Sequence, residues 1–466
     1  MKLHFLGASG QVTGSRYVVE SRSARIMIDC GLFQEREYLE RNWRPCPVPA
    51  KDIETLLLTH AHIDHLGLVP KLVREGFRGR ILCTPPTRDL AEVLLRDAAK
   101  IQMEDAQYKR RRHQREGRRG RFPEVPLYTL DDVERALPLF DGVEYGRPLQ
   151  LAADLQATWF DAGHILGSAM LRLVLTGETQ TTTLVFSGDI GQWGKPLVRD
   201  PTTFQHADYV VMESTYGDRD HASGEGIEDH LARVITTTVQ QGGNVVIPTF
   251  AVERAQELMF FLSRLRRDGR IPELPVFLDS PMAVDTTEIF RRHRAYFDAQ
   301  AWEMILSGHS PMRFAGLRLV RDVDDSKAIN RLQEPAIIMA PAGMCNAGRI
   351  KHHLRHNIER PECTIVFVGY QAHGTLGRQI VDRRPRVRIH GREYEVRARV
   401  ERIFGFSAHA DRSGLLRWLS ALDGTPRRVF LTHGEADASA ALAQTARQQL
   451  GLDVHVPRYQ EVVELA

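Results

Sequence analysis

No stretch of this 466-residue chain approaches the roughly 18–20 continuous apolar residues that a membrane-crossing helix needs. The amino-terminal MKLHFLGASG has no apolar core of signal-peptide length and reads as a strand. Cysteine is scarce: Cys30, Cys46, Cys83, Cys345 and Cys363 are odd in number and never spaced C-x-x-C. That excludes a disulfide framework and a thiolate zinc site, and it places the protein in a reducing cytoplasm. A Gly/Ser-rich linker, a low-complexity tract and internal repeats are all missing. LGASGQVTGS, residues 6–15, has neither the G-x-G-x-x-G pattern nor the GKS or GKT ending of a phosphate loop, so it reads as a tight turn between strands. With a net charge of only +3, the average surface is not that of a nucleic-acid binder.

What is present is ordinary in bulk and uneven in detail. A 42% apolar and 26% charged composition suits a globular protein, and the length suits two domains or one domain with a large insertion. KRRRHQREGRRGR, from Lys109 to Arg121, sets eight Lys and Arg against the single Glu116. Bounded by FPEVP, it is the segment expected to be disordered. A second arginine-dense stretch, Arg383 to Arg402, is diluted by glutamates. Such runs are either solvated faces or phosphate-attracting patches.

Short Val/Ile/Leu/Phe-rich runs recur, and their tails are polar. ARIMIDCG carries Asp29, IETLLLTH ends on His60, TTTLVFSGD on Asp189, ADYVVMES carries Glu213 and RRVFLTH ends on His433. NVVIPTF, VFLDS, AIIMAPAG and TIVFVGY follow the same plan. AVERAQELMFFLSRL and ADASAALAQTARQQL space their apolar residues at helical intervals. Strands alternating with helices predict an α/β fold, in which functional groups gather at the strands' carboxyl ends.

LTHAHIDHLG crowds His60, His62, Asp64 and His65 into six positions. Imidazole and carboxylate bind divalent metals without redox chemistry. His60 and His62 point the same way in extended backbone and can hold one ion. Asp64 and His65 lie past the turn, where DHLGLVPKLVREG begins a helix, and can face a second. Each further candidate follows a strand-like run: His164 in FDAGHILGSA, Asp189 in FSGDIG, His433 in FLTHGE. Asp189 suits a bridge, because one carboxylate can give an oxygen to each metal. A lone histidine after a strand is more often structural, but together these residues supply the ligand count that two metals require.

HAHIDH, then GH, then SGDIG, with Asp29 upstream, resembles the metallo-β-lactamase superfamily. ESTYGDR with Glu213, FSAHAD with His409 and LTHGE with His433 resemble motifs A, B and C of its β-CASP nucleases. SPMA, APAGM, GRIKHHL and GYQAHGTLGR look like segments of the β-CASP cap, and the resemblance runs from residue 3 to about 460. It implies a four-layer αββα metallo-β-lactamase domain, residues 1–215 and 372–466, with an inserted α/β β-CASP cap at 216–371. It also implies two Zn2+ per chain, one on His60, His62, His164 and Asp189, the other on Asp64, His65, Asp189 and His433. Asp29 is expected behind the ligands, orienting one of them or the water.

The implied reaction is hydrolysis of single-stranded RNA by metal-activated hydroxide, leaving 5′-phosphate and 3′-hydroxyl ends. It is expected to be endonucleolytic, with 5′-to-3′ exonuclease action using the same residues. Asp64, Glu213 and His409 are the catalytic candidates, His409 as general acid and Glu213 as its orienting carboxylate. A histidine in motif C goes with RNA in this family, and valine with DNA. Lys109, Arg110, Arg111 and Arg112 are candidate RNA contacts. His373 is read as a structural or surface histidine. No separate RNA-binding module is expected before Met1 or after Ala466, so target choice is expected to rest with the cap, RNA structure or partners, a second copy of the chain among them. Three rivals remain: a small-molecule hydrolase of the same superfamily, which needs neither Glu213 nor His409; a non-catalytic RNA-binding subunit, which would lose ligands; and a redox enzyme, which wants an acid at Ala61–Ile63 and a flavin module.

Overall fold

A computed structural model describes residues 1–222 and 226–465. The chain forms two compact units: Met1–Gly194 with Arg199–Asp220 and Ala408–Ala466, and Lys195–Val198 with His221–Ser407.

The first unit holds two seven-stranded sheets. One runs in the order Glu461–Glu464, Lys2–Phe5, Tyr17–Glu20, Arg25–Ile28, Thr55–Leu57, Arg80–Cys83 and Phe140–Gly142. The other runs Val454–His455, Arg428–Thr432, Tyr209–Glu213, Thr181–Phe186, Ala169–Thr176, Leu155–Asp161 and Leu149–Ala152. Each sheet is antiparallel in one half and parallel in the other. The parallel halves are Arg25–Ile28 through Phe140–Gly142, and Val454–His455 through Thr181–Phe186. Alternate residues of both sheets meet in one core, where Phe5, Trp159, Leu171, Phe186 and Phe430 are buried. The Phe5 and Phe430 rings lie 5.1 Å apart. On its other face the second sheet buries Val210, Met212 and Leu431 against Leu415 and Trp418 of the helix Arg412–Ser420 and Leu442 of the helix Ala436–Leu450. The long helix Pro85–Glu116 packs beside the first sheet's Phe140–Gly142 edge. The unit is thus a helix–sheet–sheet–helix sandwich, as the sequence resemblance implies.

The helix Pro85–Glu116 overturns the expectation of disorder near 109–121, of which residues to Glu116 are helical. Thr84 caps it by accepting from the Thr87 N–H, and prolines occupy its first two positions, where no donor is needed. Through the basic run, Lys, Arg, Gln and Glu are all good helix formers, and the charge is partly paired at helical spacing by Asp105–Lys109 and Arg112–Glu116. Gly117, at φ +62°, ends the helix in the left-handed conformation.

The second unit has an all-parallel six-stranded sheet ordered Leu317–Val320, Val276–Asp279, Ile337–Ala340, Val245–Pro248, Thr364–Phe367 and Arg399–Arg402. Its four central strands are buried at every position, which is why they read as unbroken apolar runs. The sheet continues past the expected cap boundary at 371, because Arg399–Arg402 pairs with Thr364–Phe367 after the hairpin Arg386–Ile389 and Arg392–Glu395. Among the described residues no helix is long and apolar enough to cross a membrane.

Phe430 stands where the two sheets of the first unit meet. Phe430→Ala is expected to lower the stability of this unit by about 3–5 kcal/mol, read as an earlier midpoint in an equilibrium urea titration. An unchanged midpoint would mean that the intersheet core is not what holds the unit.

Candidate metal centre

The ends of the parallel strands carry the polar residues singled out in the sequence. Asp29 follows Arg25–Ile28, His60 and His62 follow Thr55–Leu57, Asp189 follows Thr181–Phe186, Glu213 closes Tyr209–Glu213, and His433 follows Arg428–Thr432. Asp64 and His65 lie on the one-turn helix Ile63–Leu66, and His164 follows the strand Leu155–Asp161. Asp29 and His433 take positive φ, +57° and +48°, so the backbone turns sharply just where each strand gives out.

Two donor groups result, joined by Asp189. In the first, His60 Nε2 lies 3.0 Å from His62 Nδ1, and His164 Nε2 lies 3.1 Å from that same Nδ1. Asp189 Oδ2 is 3.4 Å from His60 Nε2 and 3.5 Å from His164 Nε2. In the second, His65 Nε2 and His433 Nε2 are 3.1 Å apart, and Asp64 Oδ2 is 3.4 Å from His433 Nε2. Asp189 Oδ1 completes it at 3.3 Å from His65 Nε2 and 3.6 Å from His433 Nε2. A tetrahedral ion with ligands at about 2.0–2.2 Å needs those ligand atoms about 3.3–3.6 Å apart, so both groups fit a zinc-sized cation with little movement. Asp189 Oδ1 is buried and accepts no hydrogen bond from the described residues, which also fits an oxygen kept for a metal.

Hydrogen bonds behind the donor groups fix which nitrogen three of the imidazoles present. Asp29 accepts from the Thr59 N–H and hydroxyl, both at 2.8 Å, and its Oδ2 lies 2.7 Å from His65 Nδ1. Because the Thr59 hydroxyl donates to Asp29, it can only accept from His60 Nδ1, 3.1 Å away. Likewise the Thr215 hydroxyl donates to the His433 carbonyl and accepts from His433 Nδ1, each at 3.1 Å. His60, His65 and His433 therefore all turn Nε2, the atom a metal would bind, towards the donor groups. Thr59 and Thr215 were not singled out in the sequence. Their only signal was adjacency, to His60 in LTHAH and to Glu213 in ESTYG.

Electrostatics divides the groups. Burial pushes His60 and His164 well below the ordinary imidazole value and His62 down to about 4, leaving three neutral ligands. Burial also works against charge on His65 and His433, but carboxylates outweigh it, Asp189 and Asp29 for His65 and Asp189 and Asp64 for His433, and both stand raised. Asp64 and Asp189 are held below the usual carboxylate range; burial opposes this, and the facing imidazoles prevail.

Beside the donor groups, the Glu213 oxygens lie 3.0 and 3.1 Å from His409 Nδ1, and Glu213 accepts from the Ile190 N–H at 2.5 Å. His409 Nε2 is 4.0 Å from Asp189 Oδ2. Burial would lower the His409 value, yet Glu213 and Asp189 together raise it to about 9. The side chains of His409 and Asp64, 21% and 19% exposed, mark the open side of a centre whose other carboxylates are sealed. Elsewhere, Lys109 to Arg112 are exposed on the helix Pro85–Glu116, and His373 is exposed in the second unit.

Loss of the supporting hydrogen bonds is expected to weaken metal binding. Asp29→Asn and Thr215→Val should each lower metal affinity about 10–100-fold in a chelator competition. Equal affinity in both variants would mean that these contacts do not orient the ligands.

The chain is similar to known proteins along nearly its whole length. The metallo-beta-lactamase superfamily model matches residues 10–210, the Beta-Casp domain 255–380, and the Zn-dependent metallo-hydrolase RNA specificity domain 393–457. A protein named as a ribonuclease from Thermus thermophilus is 40% identical over 463 residues, 99% of this chain and 100% of that one. Proteins named transcription termination factor FttA are each 31% identical, in Methanosarcina mazei over 99% of this chain and 71% of theirs, and in Methanocaldococcus jannaschii over 98% and 70%. A solved structure of a protein of unknown function from Enterococcus faecalis shares the fold, with a TM-score of 0.57 at 11% identity, covering 100% of this chain and 99% of that one. With these matches along nearly its whole length, the chain belongs to the β-CASP family of the metallo-β-lactamase superfamily and is a metal-dependent hydrolase.

Proposed function

We propose that the protein is a two-zinc ribonuclease that hydrolyses phosphodiester bonds of single-stranded RNA, leaving 5′-phosphate and 3′-hydroxyl ends. The observation that carries this reading is the Glu213–His409 pair beside a bridged double donor set, since a small-molecule hydrolase needs the donors but not the pair. The printed names of the relatives, a ribonuclease and transcription termination factors, and of the RNA specificity domain support RNA as the substrate class. The complete donor set argues against a non-catalytic subunit. Internal cleavage is the proposed mode, with the 5′-to-3′ exonuclease alternative using the same residues. The proposed setting is the cytoplasm, which the buried free cysteines support.

His60, His62, His164 and Asp189 would hold one zinc ion, and Asp64, His65, His433 and Asp189 the other. Bound there, the pair supplies Lewis acidity, drawing charge from the phosphodiester and making water acidic enough to attack near neutral pH. Everything else falls to the chain. Asp64, on the open side, accepts a hydrogen bond from the attacking water and so orients it. Glu213 holds His409 by Nδ1, which leaves the Nε2 proton facing the centre. The water gives up one proton to solvent; as its oxygen bonds to phosphorus and the P–O3′ bond breaks, the His409 proton passes to the leaving 3′ oxygen. Without it, the oxygen would depart as an alkoxide, a poor leaving group.

His409→Ala should keep its zinc and lose about 10²–10⁴-fold in turnover. The assay is a single-stranded RNA labelled separately at each end, run on a denaturing gel after chelation and after zinc is restored. Normal cleavage by the variant would remove His409 as the acid. A 2′,3′-cyclic phosphate as first product would show that the ribose, not water, attacks.

A further inference from the structure

The basic helix end does not stand alone. Beyond Gly117 the chain folds back along the helix, and with the loop that follows Asp29 it encloses a groove of about 620 Å³ in the first unit. Its walls include Leu32, Phe33 and Trp43 on one side and Phe122, Pro123 and Val125 on the other. The planes of Trp43 and Phe122 lie within 14° of each other, with ring centroids 6.5 Å apart. Lys109, Arg112, Arg118, Arg119 and Arg121 line the same groove, against the carboxylates Asp105 and Glu124. Both acids are engaged: Glu124 lies 2.5 Å from His113 and Asp105 lies 3.8 Å from Lys109. Among the described residues, Arg119 and Arg121 have no carboxylate within ion-pair distance, and Arg121 lies 5.2 Å over the Phe122 ring. Of the four contacts expected from sequence, Lys109 and Arg112 face this groove while Arg110 and Arg111 do not line it.

We infer that this groove is a second RNA-binding site, which grips single-stranded RNA outside the metal centre through arginines on the backbone and base stacking on Trp43 and Phe122. The inference rests on the proposed ribonuclease activity. Charge with interleaved aromatic faces is the chemistry of sequence-tolerant single-strand binding: arginines track phosphates, and every base has a face to stack. Position favours it too. The groove wall begins at Leu32, whose N–H donates to the Ile63 carbonyl at 3.0 Å, and Ile63 opens the turn that carries Asp64 and His65. A second copy of the chain is the poorer occupant, because a two-fold contact sets the patch against itself and brings basic residues together.

The test is fluorescence anisotropy of the zinc-loaded protein with 2′-O-methyl single strands of about 4 and about 20 nucleotides, which bracket the length that reaches beyond the centre. Arg119→Ala with Arg121→Ala should reduce the slope of log affinity against log salt by about 1.4 for the long strand, two phosphate contacts at ~0.7 each. Trp43→Leu should weaken long-strand binding about 5-fold or more, so that the advantage of the long strand over the short one shrinks. Trp43 is partly buried, so circular dichroism and zinc content check its fold, while the exposed arginine pair carries the test independently. If the unmodified protein binds and cuts RNA but both variants keep its affinity and salt slope, the groove inference is overturned and the proposed function stands. If the unmodified protein neither binds nor cuts RNA, the proposed function fails and the groove with it. If the arginine variant instead turns a sedimenting dimer into a monomer, the groove is a subunit contact and the inference is overturned.

Discussion

Asp189 turns one carboxylate oxygen towards His60 and His164 and the other towards His65 and His433, and it lies almost wholly buried among them. Isolated in that position, an ionised carboxylate would be costly, since burial in a low-dielectric interior penalises charge by several kcal/mol even after relaxation. It is tolerable because imidazoles converge on it, and His433, His65, His60 and His409 outweigh burial to hold its carboxyl low. The rest of the first unit can be understood as the means of bringing that convergence about. Two sheets offer the carboxyl ends of parallel strands to the same spot, and the residues at those ends come from five separate segments of the chain.

Convergence alone would not select the right nitrogen atoms. An imidazole free to flip or to exchange tautomers presents a donor as readily as a lone pair. Here the outward nitrogens are committed: His65 to Asp29, His60 to Thr59, His433 to Thr215 and His409 to Glu213. The first three commitments turn Nε2 inward, the atom a metal would bind. The fourth turns the His409 Nε2 the same way, with Glu213 behind it. The same device, a partner on Nδ1, thus uses a hydroxyl behind His60 and His433 and a carboxylate behind His65 and His409. Both carboxylates are themselves held, Asp29 by Thr59 and Glu213 by the Ile190 N–H.

Much of this was legible in the sequence for a definite reason. Parallel strands buried on both faces must be apolar throughout, so a polar residue appears only where the strand ends, and RIMID, LLLTH, LVFSGD and VFLTH announce their own termini. The crowded HAHIDH could be read because its spacing is local. Thr59 and Thr215 could not, since such a hydroxyl is unremarkable until the fold brings its partner near, Asp29 from 30 residues away and His433 from 218. The helix through Lys109 was misjudged because a charge count says nothing of helix propensity, and Arg, Lys, Gln and Glu together favour a helix that their repulsion weakens only slightly. The extent of the second sheet was hidden for a third reason: Thr364–Phe367 pairs with a strand beyond a hairpin, and parallel pairing at that separation leaves no local mark.

Metal binding and folding must be coupled in such a centre. The ligands are fixed by backbone contacts as well as by one another: Ser15 and Cys30 donate to the carbonyls of Asp64 and His65, and a side chain at Gly31 would collide with the Asp64 carbonyl at 1.6 Å. Movement of the Leu32–Trp43 loop would therefore be felt at Asp64 and His65, and a cation on those residues would in turn stiffen the loop. By linkage, whatever binds one of these places more tightly when the other is ordered must show the reciprocal preference. The backbone that holds Asp64 and His65, at Cys30 and Gly31, runs directly into the groove wall at Leu32, so order in the one would favour order in the other.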